Sequence, residues 1–291
     1  MKTLIECVNE ARAAKKAVGH FNVSTLDGIW AVADAARDLK LPVIIGVSEG
    51  ERDYVGVRAA ALVVKSIRED RGQEIYLNAD HTYSFERVKE AIDAGYDAVI
   101  YDGAALSYEE NIATAKKCVD YAKSHRSLSG APIVVESELG FIGQSSKILD
   151  AIPAGAAVTE AQMTSPEDAL RFVRDTGVDL LAPAVGNIHG VVRGGDPALN
   201  TKRVKDIYDA VGIPLVLHGA SGNTADDIRK CIEGGVAIVH VNTELRIAYR
   251  SGLVRSLSEN ADEVAPYKFL KPAKLAMQKV VGEKLRIMNG A

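Results

Sequence analysis

Short runs of branched apolar residues recur along the chain, and the apolar positions between them fall at helical spacing. The runs predict strands at AVGHFNV (17–23), VIIGVS (43–48), EIYLNAD (74–80) and AVIYDG (98–103). Four more follow at PIVVESEL (132–139), LLAPAVG (180–186), PLVLHG (214–219) and IVHVNT (238–243). Continuous rather than alternating apolar runs suit parallel strands covered on both faces. The segments SFERVKEAIDAG and SPEDALRFVRDTG open on Ser beside an acidic residue and close on Gly, which are helix start and stop signals. Gly95, Gly177 and Gly235 end helices that run straight into the next strand.

Eight strand–helix alternations without a linker or composition break predict an α/β fold, one (β/α)8 TIM barrel over residues 1–291. An open doubly wound sheet is the competing architecture, but GHFNVSTLDG after the first run lacks the G-x-G-x-x-G spacing. The N-terminus reads as an extra amphipathic helix. KPAKLAMQKVVGEKLRIM predicts a C-terminal helical extension at about 271–288, packed outside the barrel or on a partner. The strandless stretch 140–179 predicts a mobile loop near 141–163. KSIREDRGQE reads as a solvated helix end.

Composition narrows the function classes. The chain has 291 residues, 47% hydrophobic and 25% charged, with a net charge of −4. Mild acidity argues against nucleic acid or an anionic membrane as partner, though a local basic patch can still bind phosphate. No apolar run reaches ~18 residues, so no membrane span is expected. Cys7, Cys118 and Cys231 are scattered and form no CxxC pair, which argues against a disulfide framework or an all-cysteine metal site. Cys118 has apolar helical neighbours and is expected buried and inert. The N-terminus has no signal-peptide pattern, and a reducing cytoplasm is the default location.

Catalytic groups of a barrel sit at the C-terminal ends of its strands. Asp80 and His81 end the third run, Glu136-Ser137-Glu138 the fifth, GNIHG follows the sixth and His218-Gly219 ends the seventh. Asn22, Ser48, Asp102, Asn242 and Thr243 end others. Three of the six histidines, His81, His189 and His218, lie at or just beyond strand ends. Three converging neutral imidazoles with an open fourth position make a catalytic zinc site. On the residues alone, the alternative that each histidine caps its own strand stays open. The turns HGASG and HVNTELR offer backbone N–H groups near a helix N-terminus, where barrels hold phosphates.

At this point the chain resembles the class II, zinc-dependent ketose-bisphosphate aldolases, the fructose- and tagatose-bisphosphate enzymes. The resemblance runs nearly end to end through AVGHFNV, VIIGVSEGERDYVG, NADHTYSFERVKEAIDAGYDAVIYDGA, VESELGFIG, TSPEDALRFVRDTGVDLLAPAVGNIHG, LVLHGASG, VNTELR and YKFLKPAKLAMQKVVGEKLRIM. It implies a (β/α)8 barrel that cleaves a ketose phosphate between C3 and C4 to dihydroxyacetone phosphate and an aldehyde. Fructose 1,6-bisphosphate is the default substrate and tagatose 1,6-bisphosphate the alternative. By position, His81, His189 and His218 match the zinc ligands, Asp80 the acid/base, and Glu138 a carboxylate that engages a shifted ion. Gly190, Gly219 and Ser221 match positions gripping the phosphate and a neighbouring monovalent cation, Na+ or K+. Thr243 matches a phosphate-binding threonine, and Asn22 and Ser48 match polar pocket residues. The resemblance also implies a homodimer or homotetramer. A carboxylate base and a Lewis-acid ion suit this cleavage. The Schiff-base route lacks its nucleophile, because none of the eight runs contains lysine.

Several positions depart from the family pattern. DHT stands for DHG, which places Thr82 at the expected pocket rim, and YDGA stands for IDGS, so Ala104 brings no hydroxyl. GFIGQSSKILD has no acid where the family carries a lid carboxylate. His240 replaces a substrate-contacting asparagine, and Asn242 takes the position that helps select sugar stereochemistry. Either the chain is an aldolase in which His240 or Glu160 supplies the missing proton transfer, or it is a weak paralogue that binds metal and phosphate. The retained Asp80 argues against the second reading. A metal-dependent hydrolase would bring H-x-H from the first strand, where only His20 occurs. His20 is expected to hydrogen-bond within or beside that strand, and His125 lies in a polar helix end.

Overall fold

The computed structural model describes residues 1–143 and 146–290. Eight parallel strands close into a barrel: β1 (Val18–Asn22), β2 (Val43–Val47), β3 (Ile75–Thr82), β4 (Ala98–Tyr101), β5 (Val134–Leu139), β7 (Leu180–Pro183), β9 (Leu215–Leu217) and β10 (Val236–Val241). β1 bonds to β2 on one side and β10 on the other, which closes the ring. The expected (β/α)8 barrel is the observed fold, and each predicted run contributes one of its strands.

Between strands run α2 (Leu26–Leu39), α3 (Glu49–Val55), α4 (Val57–Arg71), α5 (Phe85–Asp93), α6 (Tyr108–Lys123), α7 (Pro166–Thr176), α8 (Thr201–Val211) and α9 (Ala225–Glu233). Their signals act as read: Ser84 accepts from Arg87 N, Ser165 accepts from Asp168 N with Pro166 at the first turn, and Gly177 ends α7 in the left-handed region. The chain closes with α10 (Thr243–Glu259), α11 (Pro266–Phe269) and α12 (Lys271–Asn289), and α12 packs along α2 and α10. No helix among the described residues is long and apolar enough to cross a membrane.

Successive residues of a strand point to opposite faces. Outward residues such as Phe21, Ile45, Leu77, Val99, Val135, Leu181 and Val239 pack under the helices. Inward residues start apolar at the N-terminal end, where Val18, Ile44, Tyr76, Val134, Leu180, Val216 and Ile238 meet Leu4, Cys7 and Val8 of α1 (Leu4–Ala13). Two residues further along the same strands stand His20, Gly46, Asn78, Glu136, His218 and His240; the next inward step brings Asn22, Ser48, Asp80 and Glu138. Inward residues thus change from apolar to polar along six of these seven strands, β7 staying apolar through Ala182 and Ala184, so the polar groups collect at one end.

Two expectations are corrected. The stretch 140–179 is not strandless: it contains β6 (Ile148–Leu149), which pairs with β8 (Val191–Val192) between the loops after β5 and β7; Gln144 and Ser145 of GFIGQSSKILD lie outside the described residues. KSIREDRGQE is not wholly solvated. Arg68 is buried, donates to Ile75 O, and pairs with Asp97 at 2.5 Å, because α4 lies against the start of β3. Cys118 is buried, as are Cys7 and Cys231.

Candidate active site

The end of β3 is irregular, and the irregularity presents the site. Its pairing with β4 shifts register between Ala79 and Thr82, and His81 adopts φ +36°, a left-handed value rare for a side chain other than glycine. Arg52 of α3 clamps this turn from behind, donating to Val47 O (2.8 Å), Asp80 O (3.1 Å) and Thr82 Oγ1 (3.2 Å). Thr82 is therefore buried against Arg52, not at the pocket rim where the sequence placed it.

His81, His189 and His218 converge so that one ring nitrogen from each lies within 4.8 Å of the others. The second nitrogen of each ring is already engaged. His81 Nδ1 is 2.9 Å from Asp102 Oδ2, His189 Nδ1 is 2.6 Å from Gly143 O, and His218 Nε2 is 2.7 Å from Glu136 Oε1. Protons on those nitrogens leave lone pairs on His81 Nε2, His189 Nε2 and His218 Nδ1. Two of these, His81 Nε2 and His218 Nδ1, face each other at 3.2 Å. Ligand nitrogens around a tetrahedral ion with ~2.0 Å bonds stand roughly 3.3 Å apart, so the spacing fits a zinc-like cation. The outer partners are those that fix a ligating imidazole's tautomer.

Ring orientation separates this cluster from its neighbours. The His81 plane is 82° from that of His189 and 86° from that of His218, so in-plane lone pairs can meet at one point. His20, Asp80 and His240 also approach closely, as do Glu136, His218 and His240. Yet His20 and His240 stack with centroids 3.5 Å apart and planes 3° apart, and His218 and His240 stack at 4.1 Å and 19°. Parallel rings cannot both aim in-plane lone pairs at one ion. His240 is a neighbour of the candidate centre, not a fourth imidazole ligand.

Carboxylates surround the three rings. Glu138 Oε2 lies 3.5 Å from His81 Nδ1 and from His218 Nδ1 and is buried without a hydrogen-bond partner among the described residues. Burial pushes the Glu138 carboxyl well above the ordinary range, with Asp102 adding to the effect. Burial also lowers His189 and His218 to about 3. Burial opposes charge on His81 as well, but Asp80, Asp102 and Glu138 outweigh it and raise the ring to about 10. The enclosure favours positive charge, which a proton on His81 or a divalent cation supplies.

A cavity of about 230 Å³ opens over this cluster. It brings together Asn22, Ser48, Asp80, His81, His189, Gly190, Gly219, Ser221, His240, Asn242 and Thr243, all singled out in the sequence. Gly219 has φ +62°, and a Cβ there would lie 2.1 Å from Ile188 O, so only glycine fits. Ser221 Oγ accepts from Asn242 N and Glu244 N, both at 3.4 Å, beside the N-terminus of α10. Glu138 is buried and is not among the residues lining the cavity. Glu160 is not among its lining residues; it is 79% exposed in its side chain and faces Arg203 Nη2 at 3.6 Å.

Sequence reasoning missed the supports. Asp102 and Glu136, seen at strand ends, received no role, although the inward alternation at 136 and 138 signals a shared face. Glu51 stands three residues after Ser48, the spacing of a capping box, and its carboxylate binds Ser48 N and Oγ, each at 2.9 Å. His20 bonds Asn78 Nδ2 (3.2 Å) on β3, and it stacks on His240, a contact that only ring closure creates.

Over residues 2–291 the chain matches the sequence profile of the family described as Fructose-bisphosphate aldolase class-II. The chain belongs to the class II fructose-bisphosphate aldolase family. It is 36% identical over 287 residues, covering 98% of this chain and 96% of the relative, to a probable fructose-bisphosphate aldolase of Bacillus subtilis (strain 168). The crystal structure of the YdjI aldolase from Escherichia coli K12 superposes with a TM-score of 0.79 at 30% identity, covering 99% of this chain and 96% of that one. A putative fructose-1,6-biphosphate aldolase from Coccidioides immitis gives a TM-score of 0.81 at 29% identity, covering 98% and 96%. This family is generally metal-dependent, and the convergent imidazoles are where this member has the donors for an ion.

Proposed function

We propose that this chain is a zinc-dependent aldolase that cleaves or forms a ketose phosphate between C3 and C4, with dihydroxyacetone phosphate as one product. Fructose 1,6-bisphosphate is the default substrate and tagatose 1,6-bisphosphate the alternative. One observation carries the reading: three imidazoles present lone pairs to one point, their outer nitrogens held by Asp102, Gly143 and Glu136, with Asp80 beside them.

His81, His189 and His218 would hold the ion, and Glu138 offers a further oxygen. The chemistry supplied by zinc bound there is Lewis-acid stabilisation of negative charge developing on the ketose C2 oxygen. Asp80 does the proton work. Its Oδ2 accepts from Asn22 Nδ2 at 2.8 Å, while Oδ1 has no hydrogen-bond partner among the described residues and faces His240 Nδ1 at 3.4 Å and His81 Nε2 at 3.8 Å. Asp80 Oδ1 takes the C4 hydroxyl proton as the C3–C4 bond breaks; the bonding pair goes to C3 and the aldehyde departs. Asp80 and His240 share that proton before it returns to C3 in the completed product. Glycine backbone at 190 and 219, Ser221, Asn242 and Thr243 would hold the triose phosphate at the N-terminus of α10.

Further elements of this reading are a cytoplasmic location and a homodimer or homotetramer. The test is metal analysis together with a cleavage screen over ketose mono- and bisphosphates, with and without chelator. Triose phosphate release that stops on chelation and returns with zinc supports the aldolase. Phosphate binding without cleavage of any ketose phosphate would replace it with a binding module.

A further inference from the structure

Asp80 is oriented by a chain of side chains that leads away from the three histidines. Asn22 Nδ2 donates to Asp80 Oδ2 at 2.8 Å and to Glu51 Oε2 at 2.9 Å. Carboxylate oxygens only accept, so the amide nitrogen must face both, and its two hydrogens are both spent. Glu51 Oε2 also accepts from Ser48 N and Oγ, which fixes the carboxylate at the head of α3. Its other oxygen, Oε1, receives Arg246 Nη2 at 2.6 Å. Glu51 is buried, whereas Arg246, on the first turn of α10, lines the cavity and is half exposed.

Each link has a reason. Burying a carboxylate is costly unless it is paired and hydrogen-bonded, and Arg246 with the two Ser48 donors satisfies both conditions for Glu51. With Glu51 in place, the Asn22 amide cannot rotate without turning its oxygen toward two carboxylates. A fixed Asn22 saturates Oδ2 of Asp80 and leaves Oδ1 as the oxygen free to take a proton.

We propose that Glu51 is a positioning residue for the proton-transfer carboxylate: through Asn22 it sets which oxygen of Asp80 meets the substrate hydroxyl, and Arg246 is the counter-ion that permits a carboxylate at that buried place. The proposal rests on the reading of Asp80 as the aldolase base. Glu51 touches none of the three histidines, so its contribution falls on the chemical step and not on holding the ion.

The experiment is steady-state cleavage kinetics of the zinc-loaded protein, with zinc affinity measured in parallel, for Glu51→Gln, Asn22→Ala, the double variant and Asp80→Asn. Glu51→Gln is expected to lower kcat 10- to 100-fold, with KM changed less than threefold and zinc affinity unchanged. In the Asn22→Ala background the same substitution is expected to have no further effect, the non-additivity of residues acting as one unit. Arg246→Gln, a half-exposed change that spares the core, should lower kcat several-fold, and not at all once Glu51 is Gln. Unchanged kcat in Glu51→Gln, a rise in KM alone, or additive losses in the double variant would overturn the proposal. A wild-type protein without cleavage activity, or a fully active Asp80→Asn, would instead overturn the aldolase reading on which it stands.

Discussion

His81 Nε2 and His218 Nδ1 face each other at 3.2 Å, and each ring is pinned from behind by a carboxylate, Asp102 for one and Glu136 for the other. Two lone pairs at that distance repel unless a proton or a metal cation lies between them. The protein is therefore expected to purify with about one zinc per chain. Alanine at 81, 189 or 218 should abolish tight binding. Asp102→Asn and Glu136→Gln should weaken zinc affinity roughly 10- to 100-fold while the histidines remain. Competition against a chromophoric chelator measures all five, and wild-type-like affinity in both carboxylate variants would refute the orienting role.

Asp80→Asn keeps the shape of the side chain and one acceptor oxygen but removes the base. Cleavage should fall by about 10²–10⁴-fold, the usual range for a positioned acid/base. Zinc content should stay at the wild-type level. A variant with normal turnover would move the proton transfer to another group.

Arg52 is buried without a carboxylate partner among the described residues, and burial holds its guanidinium below the usual range. Its worth lies in the carbonyls of Val47 and Asp80 and the Thr82 hydroxyl. Arg52→Met should cost about 2–4 kcal/mol, from two or three acceptors left without donors. Thr82→Val should cost less, on the order of 1 kcal/mol. Urea unfolding measures both, and a loss under 0.5 kcal/mol for Arg52→Met would show the turn holding itself, a threshold of about half the smallest expected single-bond effect.

How much of this was legible beforehand depended on distance along the chain. The strands, their order as a barrel and the place of His81, His189 and His218 at strand ends follow from apolar runs ending in polar residues, a pattern local to each segment; that the three rings meet was implied by the family resemblance. Glu51 was readable as a cap, but its bond to Asn22 was not, because the end of β1 and the head of α3 meet only through the parallel pairing of β1 with β2. His20 looked like a strand residue with local bonds; closure sets β1 against β10 and stacks it on His240. Thr82 was misplaced because strand alternation fails where His81 turns left-handed. One substitution probes the hidden layer: a Cβ at Gly46 would lie 2.1 Å from His20 Cε1.

Asp34 joins three helices by ion pairs, with Oδ2 2.6 Å from Lys274 Nζ and Oδ1 2.9 Å from Arg71 Nη1. Burial opposes its ionisation, but Lys274 and Arg71 outweigh burial and hold the carboxyl below its ordinary value. A folded pKa below the unfolded value near ~3.9 contributes stability that is complete above that value and lost as pH falls through the folded one. Asp34→Asn should destabilise the protein by about 1–2 kcal/mol at neutral pH, and the gap should narrow as pH falls below ~4. Unfolding at pH 7 and pH 3 decides it; a gap that stays constant would mean the carboxylate charge is not what matters.

The helix that packs Leu4, Cys7 and Val8 against the lower ends of the strands turns the barrel into a cul-de-sac. Nothing can thread through it. Both fragments of a cleaved sugar must back out by the doorway the intact molecule used, so the piece seated nearer that doorway leaves first and the deeper piece waits its turn.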